Sequence, residues 1–210
     1  MKNFDFNKIE NFDEHINSSI PNYGELRDMV VSLTHHLVPD AGTVVDIGCS
    51  TGGVIERVVD NIPNISGVGV DLATNLFPEE SNVNYLNEDL LEFTPKGDVF
   101  ISMFTLQFLP IEARGDLLKR IKILNPKATL IVTEKVFMES GRNQEMFTFS
   151  YYDYKSKSFT GQELLEKQKS IRTIMKPLTV KENLGMFHDS GFKEVTSFWQ
   201  SFQFYGWVVK

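Results

Sequence analysis

The sequence predicts an α/β protein built on a mostly parallel, seven-stranded sheet that closes in an antiparallel hairpin. Three observations predict it. Short β-branched runs alternate with segments of helical period. A glycine-rich turn over Asp46, Gly48, Cys49, Ser50, Gly52 and Gly53 joins the first such run to a helix. The chain ends on two aromatic-rich alternating runs, 192–199 and 202–209. Parallel neighbours need a crossover between them, so strand–helix alternation is how such a sheet is wound.

The elements follow in order. Residues 1–22 are polar, dotted with Phe and closed by Pro21, which predicts an irregular arm. Over 23–37, Leu26, Met29, Val30, Leu33 and Leu37 fall on one helical face. Pro39 and Gly42 stop that helix. Residues 43–48 read as a buried strand. Val54, Val58 and Ile62 then take helical spacing up to Pro63. Runs 67–71 and 83–86 are the second and third strands, and only 11 residues lie between Asp71 and Val83. That is near the lower limit for a crossover and predicts a turn or a stunted helix. Residues 98–103 are the fourth strand, Pro110 opens a helix carrying Leu117, Ile121 and Leu124, and 128–133 are the fifth strand. Residues 136–178 break the alternation and read as an insertion. Thr160 with Glu163, and Thr179 with Glu182, are capping boxes that start two helices. Gly191 stops the second. The whole, 1–210, is expected to be one domain.

Composition excludes several classes. The net charge is −7, which argues against a broad electrostatic grip on nucleic acid. No apolar run is long enough to span a bilayer, and the first residues carry no secretory h-region. One cysteine forbids an internal disulfide, so a cytoplasmic location is expected. No two histidines have metal-helix spacing, so no metal is expected. Phe is abundant, at 17, and four of them fall with three tyrosines between 137 and 159. A segment this aromatic is expected to bury itself against a ligand or a second subunit.

The chemistry concentrates at strand ends. Gly48 lets the backbone turn and approach a ligand, and the helix start beyond it presents free N–H groups. Ser50 stands where the dinucleotide fingerprint has its second glycine. The turn therefore suits S-adenosylmethionine (SAM), which has no pyrophosphate, better than NAD; a plain tight turn would also use these glycines. Asp71 lies 23 positions after Gly48, where an acid accepts from ribose hydroxyls. Asp89 follows the third strand and suits either an adenine amino group or a helix cap. Met103 and the segment Phe-Thr-Leu-Gln-Phe-Leu at 104–109 follow the fourth strand, where open α/β sheets bind ligands. Phe104, Leu106 and Phe108 suit the core as well. Glu134-Lys135 ends the fifth strand as a substrate contact or a surface pair. Cys49 is either an activated thiol at a helix start or a small residue in a crowded turn.

These residues resemble a known family. With Phe12-Asp-Glu, Ser-Ile-Pro-Asn-Tyr at 19–23, Glu134-Lys135, Gly191-Phe192 and Trp-Gln-Ser-Phe at 199–202, the chain resembles the carboxy-SAM synthases. These belong to the class I SAM-dependent methyltransferase superfamily. The resemblance covers nearly the whole chain. It implies the Rossmann-like class I fold, with helices over 136–178 inserted as a lid or dimerisation segment. It implies a SAM or carboxy-SAM site on Tyr23, Gly48, Cys49, Ser50, Asp71, Leu72, Asp89 and Leu90. Asp46 and Met103, at neighbouring strand ends, join that set. It further implies a homodimer, no metal, no membrane and no direct nucleic-acid partner. Prephenate is the implied carboxyl donor: its carboxylate leaves as carbon dioxide, is captured on SAM, and phenylpyruvate remains. The product serves wobble-uridine modification of tRNA. Two anions beside one sulfonium require cationic or amide donors. This chain departs from the family at Met103, where the family has Asn, and at Gln168, where it has Arg. Tyr23, Lys169 and Arg172 are the remaining catalytic candidates. Ordinary methyl transfer and a non-catalytic SAM-binding partner are the competing expectations.

Overall fold

A computed structural model describes residues 12–210, with side chains from Glu14 onward. The predicted runs form strands β1 (Thr43–Ile47), β2 (Ser66–Asp71), β3 (Asn84–Asn87), β4 (Val99–Met103) and β5 (Thr129–Phe137). The closing hairpin is β7 (Val195–Ser201) and β8 (Phe204–Val209). Their order is β3-β2-β1-β4-β5-β8-β7, with a two-residue β6 (Leu178–Thr179) attached to β5. Strands β1 to β5 pair in parallel. Strand β8 runs antiparallel to both neighbours. The chain winds outward from β1 to β3 and then returns to β4 on the other side of β1. That reversal is the switch point at which such sheets bind ligands.

Each central strand feeds two cores. Val45, Phe100 and Leu130 point to one face, where they meet Leu117 and Ile121 of α4 (Ile111–Leu124) and Phe187 of α7 (Val180–Asp189). Val44, Ile101 and Ile131 point to the other face, against Leu26 and Val30 of α2 (Tyr23–Leu37) and Val58 of α3 (Ile55–Asn61). The period-2 alternation thus buries both faces of the sheet between helical layers.

The structure departs from the sequence reading in three places. The first eleven residues of the expected arm lie outside the described residues, and the rest is not irregular: Phe12–Ser19 form helix α1. Ile16 and Ile20, one turn apart, pack on the second core, and two apolar residues are too few to reveal a helical face. Strand β5 runs to Phe137, across the expected start of the insertion, because Lys135 pairs with Phe204 and Val136 with Leu178. The insertion itself contains α5 (Gly141–Lys155) and α6 (Gly161–Ile171). The final hairpin begins later than expected. Phe192 belongs to the stop of α7, where its N–H donates to Phe187 O and Gly191 takes φ +96°. The short crossover after Asp71 is as expected, holding one 3-10 turn, Thr74–Leu76.

Candidate active site

The glycine turn is locked from two sides. Gly48 has φ +76°, and its N–H donates to Val70 O at 2.7 Å. A Cβ there would run into the Thr105 side chain, so both conformation and space demand glycine. Ser50 takes φ 50°, and its N–H donates to Asp71 Oδ2 at 2.9 Å. Asp71 Oδ1 accepts from the Ala73 N–H at 2.9 Å. These amides hold the carboxylate at the end of β2, with lone pairs left for a ligand. Asp89 caps its own turn, accepting from the Leu91 N–H at 2.9 Å.

The segment after β4 is braced by β5. Phe104 sits at φ 59°, its N–H donating to Thr133 O at 2.8 Å. Buried Glu134 accepts from the Leu106 N–H at 3.1 Å. The Lys135 N–H in turn donates to Gln107 Oε1 at 2.8 Å. Burial pushes the Glu134 carboxyl up to about 8, against the opposing charge of Arg114 and the amides of Gln107 and Leu106. Glu134 is therefore a loop anchor, neither a substrate contact nor half of a surface pair. Its neighbour Lys135 has a different fate.

A cavity of about 460 Å3 opens over these strand ends, within the usual size of small-molecule sites. Gly48, Ser50, Asp71 and Met103 line it. Leu72, Asp89 and Leu90 line it too. Its far wall carries Lys135, Tyr151 and Phe204, with Lys155 from α5 and Lys167 and Gln168 from α6. Helix α1 closes it through His15, Ile16 and Ser19, and Lys167 Nζ meets His15 Nε2. Phe104 and Phe108 line the cavity, while Leu106 is fully buried core.

Tyr23, Asp46 and Cys49 do not line this cavity. They line a small adjoining recess that shares Gly48, Ser50 and Met103 with it. Burial first, and Asp71 second, push the Asp46 carboxyl up to about 8. Burial and the same two acids push the Cys49 thiol upward, so Cys49 is a packed residue and not an activated one.

Lys169 and Arg172 stand apart from both cavities. Both are exposed and line neither cavity. At about 100° per residue, Lys169 lies on the far side of α6 from Lys167. Lys155 and Arg27 were missed. Lys155 lies four residues after Tyr151, and Arg27 four after Tyr23, on α5 and α2 respectively. That i,i+4 spacing was the available signal.

The donor set fits an adenosyl amino acid. Ser50 and Arg27 line these cavities, and their Oγ and Nε are buried and find no partner among the described residues. Ser50, Asp71 and Asp89 would hold the nucleoside, and Asp46 and Arg27 stand beside the recess. SAM bound there would supply an electrophilic, acidified methyl group.

Solved structures share this fold. Human N-acetylserotonin methyltransferase, in complex with SAM, superposes with a TM-score of 0.58 at 16% identity, over 89% of this chain and 54% of that one. CalO1, a methyltransferase of calicheamicin biosynthesis in its SAH-bound form, gives 0.59 at 19% identity, over 89% and 56%. The chain spans about half the length of these two structures, and the likeness is one of fold. A model of the FtsJ-like methyltransferase family matches residues 29–106. Sheet order and glycine turn together define a Rossmann-like class I SAM-dependent methyltransferase fold. The carboxy-SAM synthase of Staphylococcus epidermidis is 30% identical over 208 residues, covering 94% of this chain and 91% of that protein. That of Campylobacter jejuni is 29% identical over 217 residues, covering 96% and 92%. The chain belongs to the carboxy-SAM synthase family, a family of SAM-utilising transferases.

Proposed function

We propose that this protein makes carboxy-SAM from SAM and prephenate. The observation that carries the reading is one continuous cavity joining a nucleoside end, at Gly48, Asp71 and Asp89, to a cationic end at Lys135, Lys155 and Lys167. An ordinary methyl acceptor does not call for three lysines; an acid with two carboxylates does. By mass balance, SAM and prephenate yield carboxy-SAM, phenylpyruvate and one water. In this reading Asp71 accepts from the ribose, Asp89 faces the adenine, and Leu72, 64% exposed at the rim, covers the base. The carboxy-SAM would serve wobble-uridine modification of tRNA in the cytoplasm, from a homodimer without metal.

Met103 favours a second reading. It lines the cavity where the family places an Asn donor, and a thioether cannot donate. Ordinary methyl transfer needs no such donor. Mass spectrometry of the protein incubated with SAM and prephenate separates the two. Carboxy-SAM together with phenylpyruvate is expected. SAM recovered unchanged, with no phenylpyruvate, would leave methyl transfer as the better reading.

A further inference from the structure

Two lysines face the cavity with no acid to balance them. Lys155 is only 3% exposed, and Lys135 is half-buried at the end of β5. No carboxylate pairs with either among the described residues. Instead both ammonium groups lie against one ring. Lys135 Nζ is 5.1 Å and Lys155 Nζ 5.7 Å from the Tyr151 centroid. Lys135 also lies over Phe204 at 5.7 Å, and Lys155 over Phe159 at 4.6 Å. The ring is itself fixed, because Tyr151 Oη donates to Ser19 O at 2.5 Å. Ring faces offset only part of the cost of burying two like charges together. The rest calls for an anion in the cavity that both line.

We propose that Lys135 and Lys155 form a subsite for the carboxylate that the donor keeps, the 2-oxo acid end retained in phenylpyruvate. The assignment rests on the carboxy-SAM reading above and specifies how its donor is oriented. The reason is electrostatic. A paired cation clamp stabilises a carboxylate as an anion and so opposes its departure as neutral carbon dioxide. The clamp therefore suits the carboxylate that stays. The surrounding Tyr151, Phe159 and Phe204 suit the aromatic ring that forms beside it. Both ammonium charges are disfavoured where they stand, so a nearby anion would stabilise them. Burial holds Lys155 down at about 8, and burial together with the Lys155 charge does the same to Lys135.

Phenylpyruvate is the probe. Calorimetric titration of the intact protein, loaded with SAM, should show phenylpyruvate binding. Lys135→Met and Lys155→Met should each weaken that binding by about 10- to 100-fold, the loss typical of one charged hydrogen bond. Lys135→Arg should recover part of it. SAM affinity should stay within about twofold in every variant, which separates a lost subsite from a misfolded one. Wild-type protein that ignores phenylpyruvate, or variants that bind it as well as wild type, would overturn the subsite. Failure of the carboxy-SAM reading has a different signature: prephenate is not consumed, whatever phenylpyruvate does.

Discussion

Glu134 holds its loop at an electrostatic cost, and that cost has a pH signature. Its folded-state pKa of about 8 lies above the ordinary 4.5. Between those values the native state binds more protons than the unfolded chain, so stability falls as pH rises through that window. Below about 4.5 the carboxyl is neutral in both states and the penalty vanishes. Glu134→Gln keeps an oxygen to accept from the Leu106 N–H but cannot ionise. The variant should therefore gain on wild type steadily between pH 5 and 8, as read by denaturant melts across that range. Asp46 is shifted over the same window, but it is present in both proteins and cancels in the difference. A gap that does not change with pH would mean that Glu134 is not buried as described.

At the scale of elements, the turn between β1 and α3 carries the most demanding geometry. Gly48→Ala should destabilise the fold by roughly 1–2 kcal/mol from the left-handed conformation alone, and further from collision with Thr105. SAM affinity should fall with it, since the same turn positions Ser50 and Asp71. The collision part is separable: Thr105→Ala placed on Gly48→Ala should return some stability but not the strain. Thermal melts and SAM titration of the single and double variants test this, and non-additivity is the expected sign. This turn and Asp71 were legible in the sequence because local rules govern them: glycine conformations, strand ends, and a fixed spacing. Helix α2 was legible because Leu26 and Val30 repeat on one face. Lys155 was not. Its place in the site depends on α5 folding back so that Tyr151 meets Phe204, ring centroids 5.3 Å apart, across a long sequence separation. Neither helical period nor composition encodes that contact. The inward face of α6 was illegible for the same reason, because choosing it requires knowing what the helix packs against.

The whole molecule presents an imbalance on the inserted segment. Tyr151 and Leu164 are buried, but Phe137, Met146, Phe149 and Leu165 are 47%, 55%, 65% and 55% exposed. Side chains of this size at such exposure favour burial against a partner, and the proposed homodimer supplies a second copy of the same surface. Met146 and Phe149 lie three residues apart on α5, hence on one face, which makes them the pair to change. Wild-type protein should sediment as a dimer, and Met146→Glu with Phe149→Glu should sediment as a monomer with unchanged far-UV dichroism. Salt offers an independent check. Each chain carries a net charge of −7, so two copies repel at long range. Screening that repulsion should tighten association as salt rises, the reverse of what an interface built on ion pairs would show. Sedimentation equilibrium at low and high salt reads both effects. A wild-type monomer at micromolar concentration, or a double variant that stays dimeric, would remove the apolar face of α5 from the interface.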